Sequence, residues 1–167
     1  HGNLTLFLGT DYTHLSDFNA TGSLSLSTSG TFTNQALLQA GQALSLTTGT
    51  LNNTAAGQIL SPQLQLTANH LINRGLIDGQ AVRLDAGTLD NLGSGRIYGD
   101  DLSIAAATLN NLPENGTAPV VAARKRLDLG VGNFNNRDGA LLFSAGDMAI
   151  GGSLDASGRA TGLAQAI

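Results

Sequence analysis

Val82-Arg83-Leu84-Asp85-Ala86-Gly87-Thr88-Leu89-Asp90-Asn91 holds the pattern from which the fold can be read. Val82 and Leu84 alternate with Arg83 and Asp85, and a period of two marks a strand with one buried face. Ala86-Gly87 punctuates the run. Thr88-Leu89-Asp90-Asn91 then sets a single apolar residue among polar ones and closes on asparagine. No helical stripe could be drawn through such a stretch.

Moving outward, the apolar doublet recurs along the chain. It stands as Leu4/Leu6, Leu24/Leu26, Leu44/Leu46, Leu64/Leu66, Val82/Leu84, Leu102/Ile104, Leu127/Leu129 and Met148/Ile150. Four of the seven intervals between doublets are 20 residues, and the others are 18, 25 and 21. The second element recurs as well: Thr31-Phe32-Thr33-Asn34, Thr50-Leu51-Asn52-Asn53, His70-Leu71-Ile72-Asn73, Thr108-Leu109-Asn110-Asn111 and Asn133-Phe134-Asn135-Asn136. A third apolar pair follows at Leu37/Leu38, Ile59/Leu60, Leu76/Ile77, Ile97/Tyr98, Val120/Val121 and Leu141/Leu142. Self-similarity at this period is the signature of a solenoid.

Three short strands in about 20 residues leave room only for tight turns, and no segment repeats apolar residues at i, i+3, i+4 and i+7. The expected fold is therefore all-β: a right-handed parallel β-helix of seven or eight coils, three strands to a coil, rising about 4.8 Å per coil. One coil buries five or six apolar side chains worth roughly 1.5–3 kcal/mol each, and ordering its backbone costs at least as much. Stability must then come from the interfaces between coils.

Asn34, Asn53, Asn73, Asn91, Asn111 and Asn136 occupy one place in six successive coils. Asparagine tolerates left-handed backbone at a corner, and amides stacked at one strand spacing can bond to each other as a ladder. The expectation is a structural ladder, with a row of carbohydrate-contacting amides as the alternative. Gly41, Gly79, Gly99 and Gly146 precede the doublets, where a left-handed turn would suit glycine. Residues 112–119, with Pro113 and Pro119, lengthen one coil and should protrude as a loop.

Composition supports a long thin core. Charged residues are 12% and aromatics 4%, there is no tryptophan, and Lys125 is the only lysine. A net charge of −4 argues against nucleic acid as a partner. Without cysteine there is no disulfide or thiolate chemistry. The one basic run, Arg124-Lys125-Arg126, reads as a solvated turn or as a contact patch for an anionic surface.

The repeat resembles the haemagglutinin repeats of large two-partner-secreted bacterial exoproteins, the filamentous haemagglutinin-like adhesins and contact-dependent growth inhibition proteins. The residues that carry the likeness are 82–91 and Leu71-Ile72-Asn73-Arg74-Gly75-Leu76-Ile77-Asp78-Gly79. It is clear from Gly22 to Gly146 and looser at both ends, where Asp11-Tyr12-Thr13-His14 lacks the ladder asparagine. The resemblance implies that residues 1–167 are one β-helix segment of a larger, secreted, surface-displayed protein. It also implies export through an outer-membrane transporter, and neighbouring coils of the parent protein as the nearest partners.

On that reading the segment is a rod that holds binding or toxin modules away from the cell. The alternative is that it contacts glycans or receptors of a host or target cell itself. A β-helix polysaccharide lyase or hydrolase is the third reading, since such enzymes use clustered carboxylates or calcium with a basic partner. Here the acids Asp85, Asp128 and Asp147 stand singly, and Asp100-Asp101 is the one adjacent pair. His1, His14 and His70 are too dispersed for a metal motif. No catalytic, cofactor-binding or metal-binding residue is expected.

Overall fold

In a computed structural model, residues 2–167 are described, and all regular structure in them is β. Coil 1 comprises β1 (Leu4–Phe7), β2 (Tyr12–His14) and β3 (Phe18–Ala20), and coil 2 comprises β4 (Leu24–Ser27), β5 (Thr31–Asn34) and β6 (Leu37–Ala40). β7 (Ala43–Asn53) and β8 (Gln58–Leu60) make coil 3, and β9 (Gln63–Asn73) opens coil 4. The long strands β10 (Leu76–Leu92), β11 (Arg96–Leu112) and β12 (Val120–Asn136) run through coils 4 to 7. β13 (Leu141–Ser144), β14 (Asp147–Gly151) and a small hairpin of β15 (Ser153–Leu154) and β16 (Ala160–Thr161) follow.

Every coil pairs in parallel with the next, giving a β-solenoid of about seven turns. Leu4 stands beside Leu24, Leu24 beside Leu44, and the column continues through Leu64, Val82, Leu102 and Leu127 to Met148. The second members of the doublets form an identical column. Tyr12, Phe32, Leu51, Leu71, Leu89, Leu109 and Phe134 form a third. These columns face one another across a core in which Leu46, Leu66, Leu84 and Leu109 are wholly buried.

The third apolar pair resolves into one inward and one outward residue. Leu38, Ile59, Ile77, Ile97, Val121 and Leu142 share a column, so the inward member is the second of the pair in some coils and the first in others. The expectation of three separate strands per coil holds at the ends but not in the middle. There the runs fuse into 17-residue strands, and the pairing of β10 with β11 skips only Gln80 and Gly87, on the β10 side, at the bends.

The glycines before the doublets do a different job from the one expected. Gly41, Gly79, Gly99 and Gly146 are not among the positive-φ residues. A Cβ on Gly41 would lie 2.5 Å from the Thr21 carbonyl oxygen, on Gly79 2.3 Å from that of Ser61, and on Gly146 2.1 Å from that of Lys125. At these three glycines the neighbouring coil leaves no room for a side chain, whereas at Gly99 the nearest atoms would be 3.2–3.3 Å away and its partner in the next coil is Ala123.

The insertion is built around a tight turn. Glu114 and Thr117 exchange backbone hydrogen bonds of 3.0 Å around Asn115 and Gly116, both in left-handed conformation at φ 52° and 75°. The result is a two-residue hairpin turn whose tip is exposed and whose base lies on the coil beneath.

A second excursion was not foreseen. Residues 152–162 leave the stack after β14 as the β15–β16 hairpin and fold back over the outer face of β11 and β12. There Ser103 Oγ donates to the Gly158 carbonyl at 2.9 Å and the Ala160 amide donates to Asp128 at 2.9 Å. The chain then rejoins the stack, with Ala166 beside Asn133 in parallel.

Candidate functional site

The six ladder asparagines end the second strand of successive coils, where the alternation of β5, β7, β9 and the long strands turns them inward. Asn34, Asn53, Asn73, Asn91 and Asn111 are fully buried. Each Nδ2 donates to the Oδ1 of the next coil: Asn34 to Asn53 at 2.9 Å, Asn53 to Asn73 at 2.7 Å, and Asn73 to Asn91 at 2.9 Å. Asn91 to Asn111 at 2.8 Å and Asn111 to Asn136 at 2.6 Å complete the row. The second N–H of each amide reaches the carbonyl that opens the third strand one coil on, at Gln58, Leu76, Arg96, Val120 and Leu141. The corner is therefore held by side-chain hydrogen bonds, not by left-handed backbone, since none of the six has positive φ. The five enclosed amides, Asn34 to Asn111, cannot contact a carbohydrate, whereas Asn136 at the end of the row is exposed.

His14 occupies the ladder column in coil 1, beside Asn34. Its Nε2 lies 3.0 Å from the Leu37 carbonyl, the position an asparagine amide would serve. An imidazole cannot also reach the neighbouring amide oxygen, and Asn34 Oδ1 is buried without a partner. The ladder thus begins with an orphaned acceptor.

A second, outward ladder runs beside the first. Asn110 donates to Asp90 at 2.7 Å, Asn135 to Asn110 at 2.7 Å, and His70 Nε2 lies 2.7 Å from the other oxygen of Asp90. Position three of Thr-Leu-Asp-Asn carries Asp90, Asn110 and Asn135, so the recurrence of Asp or Asn there was the available signal, and His70 joins from position one of the preceding coil. His70 sits half-exposed on this face and His14 inside the stack, while His1 lies outside the described residues. Among the described residues no three His, Cys, Asp or Glu side chains come together as metal ligands.

Arg124-Lys125-Arg126 falls at a bulge, where the pairing of β11 with β12 shifts between Gly99 and Asp101. All three side chains are engaged. Arg124 binds both oxygens of Asp78 at 2.9 and 2.8 Å and approaches Asp100 at 3.4 Å, and Lys125 lies 2.9 Å from Asp100. Arg126 grips Asp128 and reaches Asp147 at 3.3 Å. The hydrogen bond from Lys125, with Arg124 beside it, holds the Asp100 carboxyl below the usual carboxylate range. Asp78 and Asp128 raise the guanidinium pKa values of Arg124 and Arg126 in turn. What sequence showed as a basic run is a cluster of paired cations and carboxylates, with the Arg124 and Lys125 side chains still 51% and 67% exposed.

Asp128 is the most enclosed of these acids, with its side chain 3% exposed, and it also receives Arg159 and the Ala160 amide of the hairpin. Glu114 of the insertion reaches back two coils to Arg74, at 2.6 and 2.8 Å in bidentate geometry, and that hydrogen bond lowers the Glu114 pKa. Neither link is visible in sequence, because the partners stand 40 and 32 residues apart and outside the repeat.

Comparison with protein-family models, with curated proteins and with solved structures finds no match.

Proposed function

We propose that the chain is a rigid rod segment of a large secreted bacterial surface protein, an adhesin or contact-dependent toxin-delivery exoprotein. Its role in that setting is to set the distance between the cell and a binding or toxin module. The observation that carries the reading is the continuous amide ladder over six coils, buried in five of them. Each asparagine bonds both the next amide and the next coil's backbone, so the coil pitch is pinned by side chains as well as by the sheet, which is the requirement of a stiff spacer. The haemagglutinin-repeat resemblance supplies the secretion route, in which an outer-membrane transporter is the export partner.

The test is made in the source bacterium with antibody raised against residues 2–167. Surface labelling of intact cells, lost when a transporter gene flanking this coding sequence is deleted, supports the proposal. Antigen confined to the cell interior in the unmodified strain contradicts it. Internal deletion of one complete coil in the parent protein should keep export and shorten reach, measured as reduced delivery or adhesion.

A further inference from the structure

The core uses one apolar residue from each third pair, yet every pair has two. The outward members, Leu37, Leu60, Leu76, Tyr98, Val120 and Leu141, have no place in the core. They fall in two adjacent columns on the face made by the third strands, with Phe143 at the end of one of them. Leu141 and Phe143 are 47% and 49% exposed, and the other five are half-buried. The second-strand face is polar at the matching outward column, with Thr31, Thr50, Thr88 and Thr108. An apolar residue set outward in six consecutive coils, on one face, marks an interaction surface. Tyr98 and Phe143 stand on either side of Ala122 in one column, and the hollow between them, about 330 Å³, has room for an apolar side chain.

The interval of this strip identifies its partner. Its apolar residues advance one coil at a time, about 4.8 Å per step. A helix laid along it advances about 5.4 Å per turn and falls roughly 3 Å out of step over five intervals. A second stack of parallel coils has the same interval and stays in step throughout. Charge also permits two copies to meet. The two columns carry one cation and one carboxylate, and each is already engaged: Arg96 donates to the Gly95 and Ala118 carbonyls, and Asp78 accepts from Arg124. Sheets stacked face to face interdigitate their side chains at about 10 Å separation, so an outward leucine of one copy can enter the Tyr98–Phe143 hollow of the other.

We propose that two copies of this chain associate side by side through their third-strand faces, with the solenoids lying against each other along their length. The proposal needs only this face and stands whether or not the rod reading holds. The strip is roughly 24 Å long and two columns wide, or roughly 300 Å² per partner against about 800 Å² in a stable complex. Pairing over six coils is therefore weak, and it strengthens with every coil that extends the strip.

The test is sedimentation equilibrium of the chain from micromolar to millimolar concentration. Reversible dimerisation is expected at the upper end of that range. The triple variant Tyr98→Ser, Leu141→Ser, Phe143→Ser should weaken it about tenfold or more with an unchanged circular dichroism spectrum. Phe143→Ser alone, at a half-exposed site, should weaken it measurably. Leu4→Ser with Met148→Ser, at the exposed apolar ends of the stack, should leave it unchanged. A chain that stays monomeric at millimolar concentration overturns the proposal. So does association that survives the face variants, or association that the Leu4 and Met148 changes abolish, which would place the contact end to end.

Discussion

Coil 1 and coil 5 carry the same repeat and are built to different standards. In coil 5, Val82, Leu84 and Leu89 have coils on both sides and are 3%, 0% and 0% exposed, and Asn91 bonds amides above and below. In coil 1, Leu4 and Leu6 are each 37% exposed, and His14 stands where the asparagine belongs. Coil 1 instead holds coil 2 by side chains. Asn3, Asp11 and Asp17 accept from the amides of Ser23, Thr31 and Leu37, one at the start of each strand, at 3.2, 2.7 and 3.0 Å. One sequence pattern therefore yields a solid interior only where it has neighbours on both sides, as expected when stability resides in nearest-neighbour interfaces.

The sharpest way to break the comparison is to remove a central rung. Asn91→Leu leaves an N–H of Asn73 and the oxygen of Asn111 without partners in a buried site and removes the bond to the Val120 carbonyl. At about 1–3 kcal/mol for each of the two unsatisfied side-chain groups, the loss should total roughly 2–6 kcal/mol in chemical denaturation. Gln80→Leu, at an exposed position, should stay within about 0.5 kcal/mol. Equal midpoints for the two variants would remove the ladder from the account.

Core truncation gives the next largest contrast. Leu84→Ala should cost about 2–5 kcal/mol by cavity formation. Leu6→Ala, in the same column of coil 1, should cost less than half as much, because its side chain already meets solvent on one side. Urea titrations of the two variants decide this, and an equal loss would show coil 1 to be as tightly packed as the centre.

His14→Asn sharpens the comparison from the other direction. The new amide could donate to Asn34 Oδ1, the orphaned acceptor, and keep the bond to the Leu37 carbonyl. A gain of about 0.5–1.5 kcal/mol is expected, the ordinary worth of one hydrogen bond. A variant less stable than the parent would mean that imidazole packing outweighs the missing bond.

The smallest effect belongs to the clamp on the insertion. The Glu114 pKa is lowered by Arg74, so the stabilisation is fully present above the unfolded value near 4.5 and is lost as pH falls through the folded one. Both side chains are 35% exposed, so the pair is worth less than about 1 kcal/mol. Glu114→Gln should lower the melting temperature slightly at pH 7, with the gap narrowing as pH falls below about 4.5, and a gap that does not change with pH would assign the effect to packing.

The parts of this architecture that were legible in sequence are those that repeat. The leucine columns and the six asparagines could be read because each coil restates them at nearly constant spacing. The corner glycines were found but given the wrong reason: close approach of the Thr21, Ser61 and Lys125 carbonyls leaves no trace in one coil's sequence. The hairpins at 114–117 and 152–162 interrupt the period, and their anchors, Arg74 and Asp128, lie coils away. The outward column Thr5, Ser25, Ser45, Gln65, Arg83 and Ser103 was illegible for a different reason: its members are ordinary singly and become a row only once register stacks them.

The central claim is that a buried amide ladder ties the coils together, and side-chain hydrogen exchange tests it residue by residue. In NMR exchange experiments the Nδ2 protons of Asn53, Asn73, Asn91 and Asn111 should be protected by orders of magnitude relative to those of the exposed Asn19 and Asn115. Protection should be greatest at Asn73 and Asn91 and decline toward Asn34. Exchange of the four central amides at the rate of Asn19 would contradict the ladder and the account built on it.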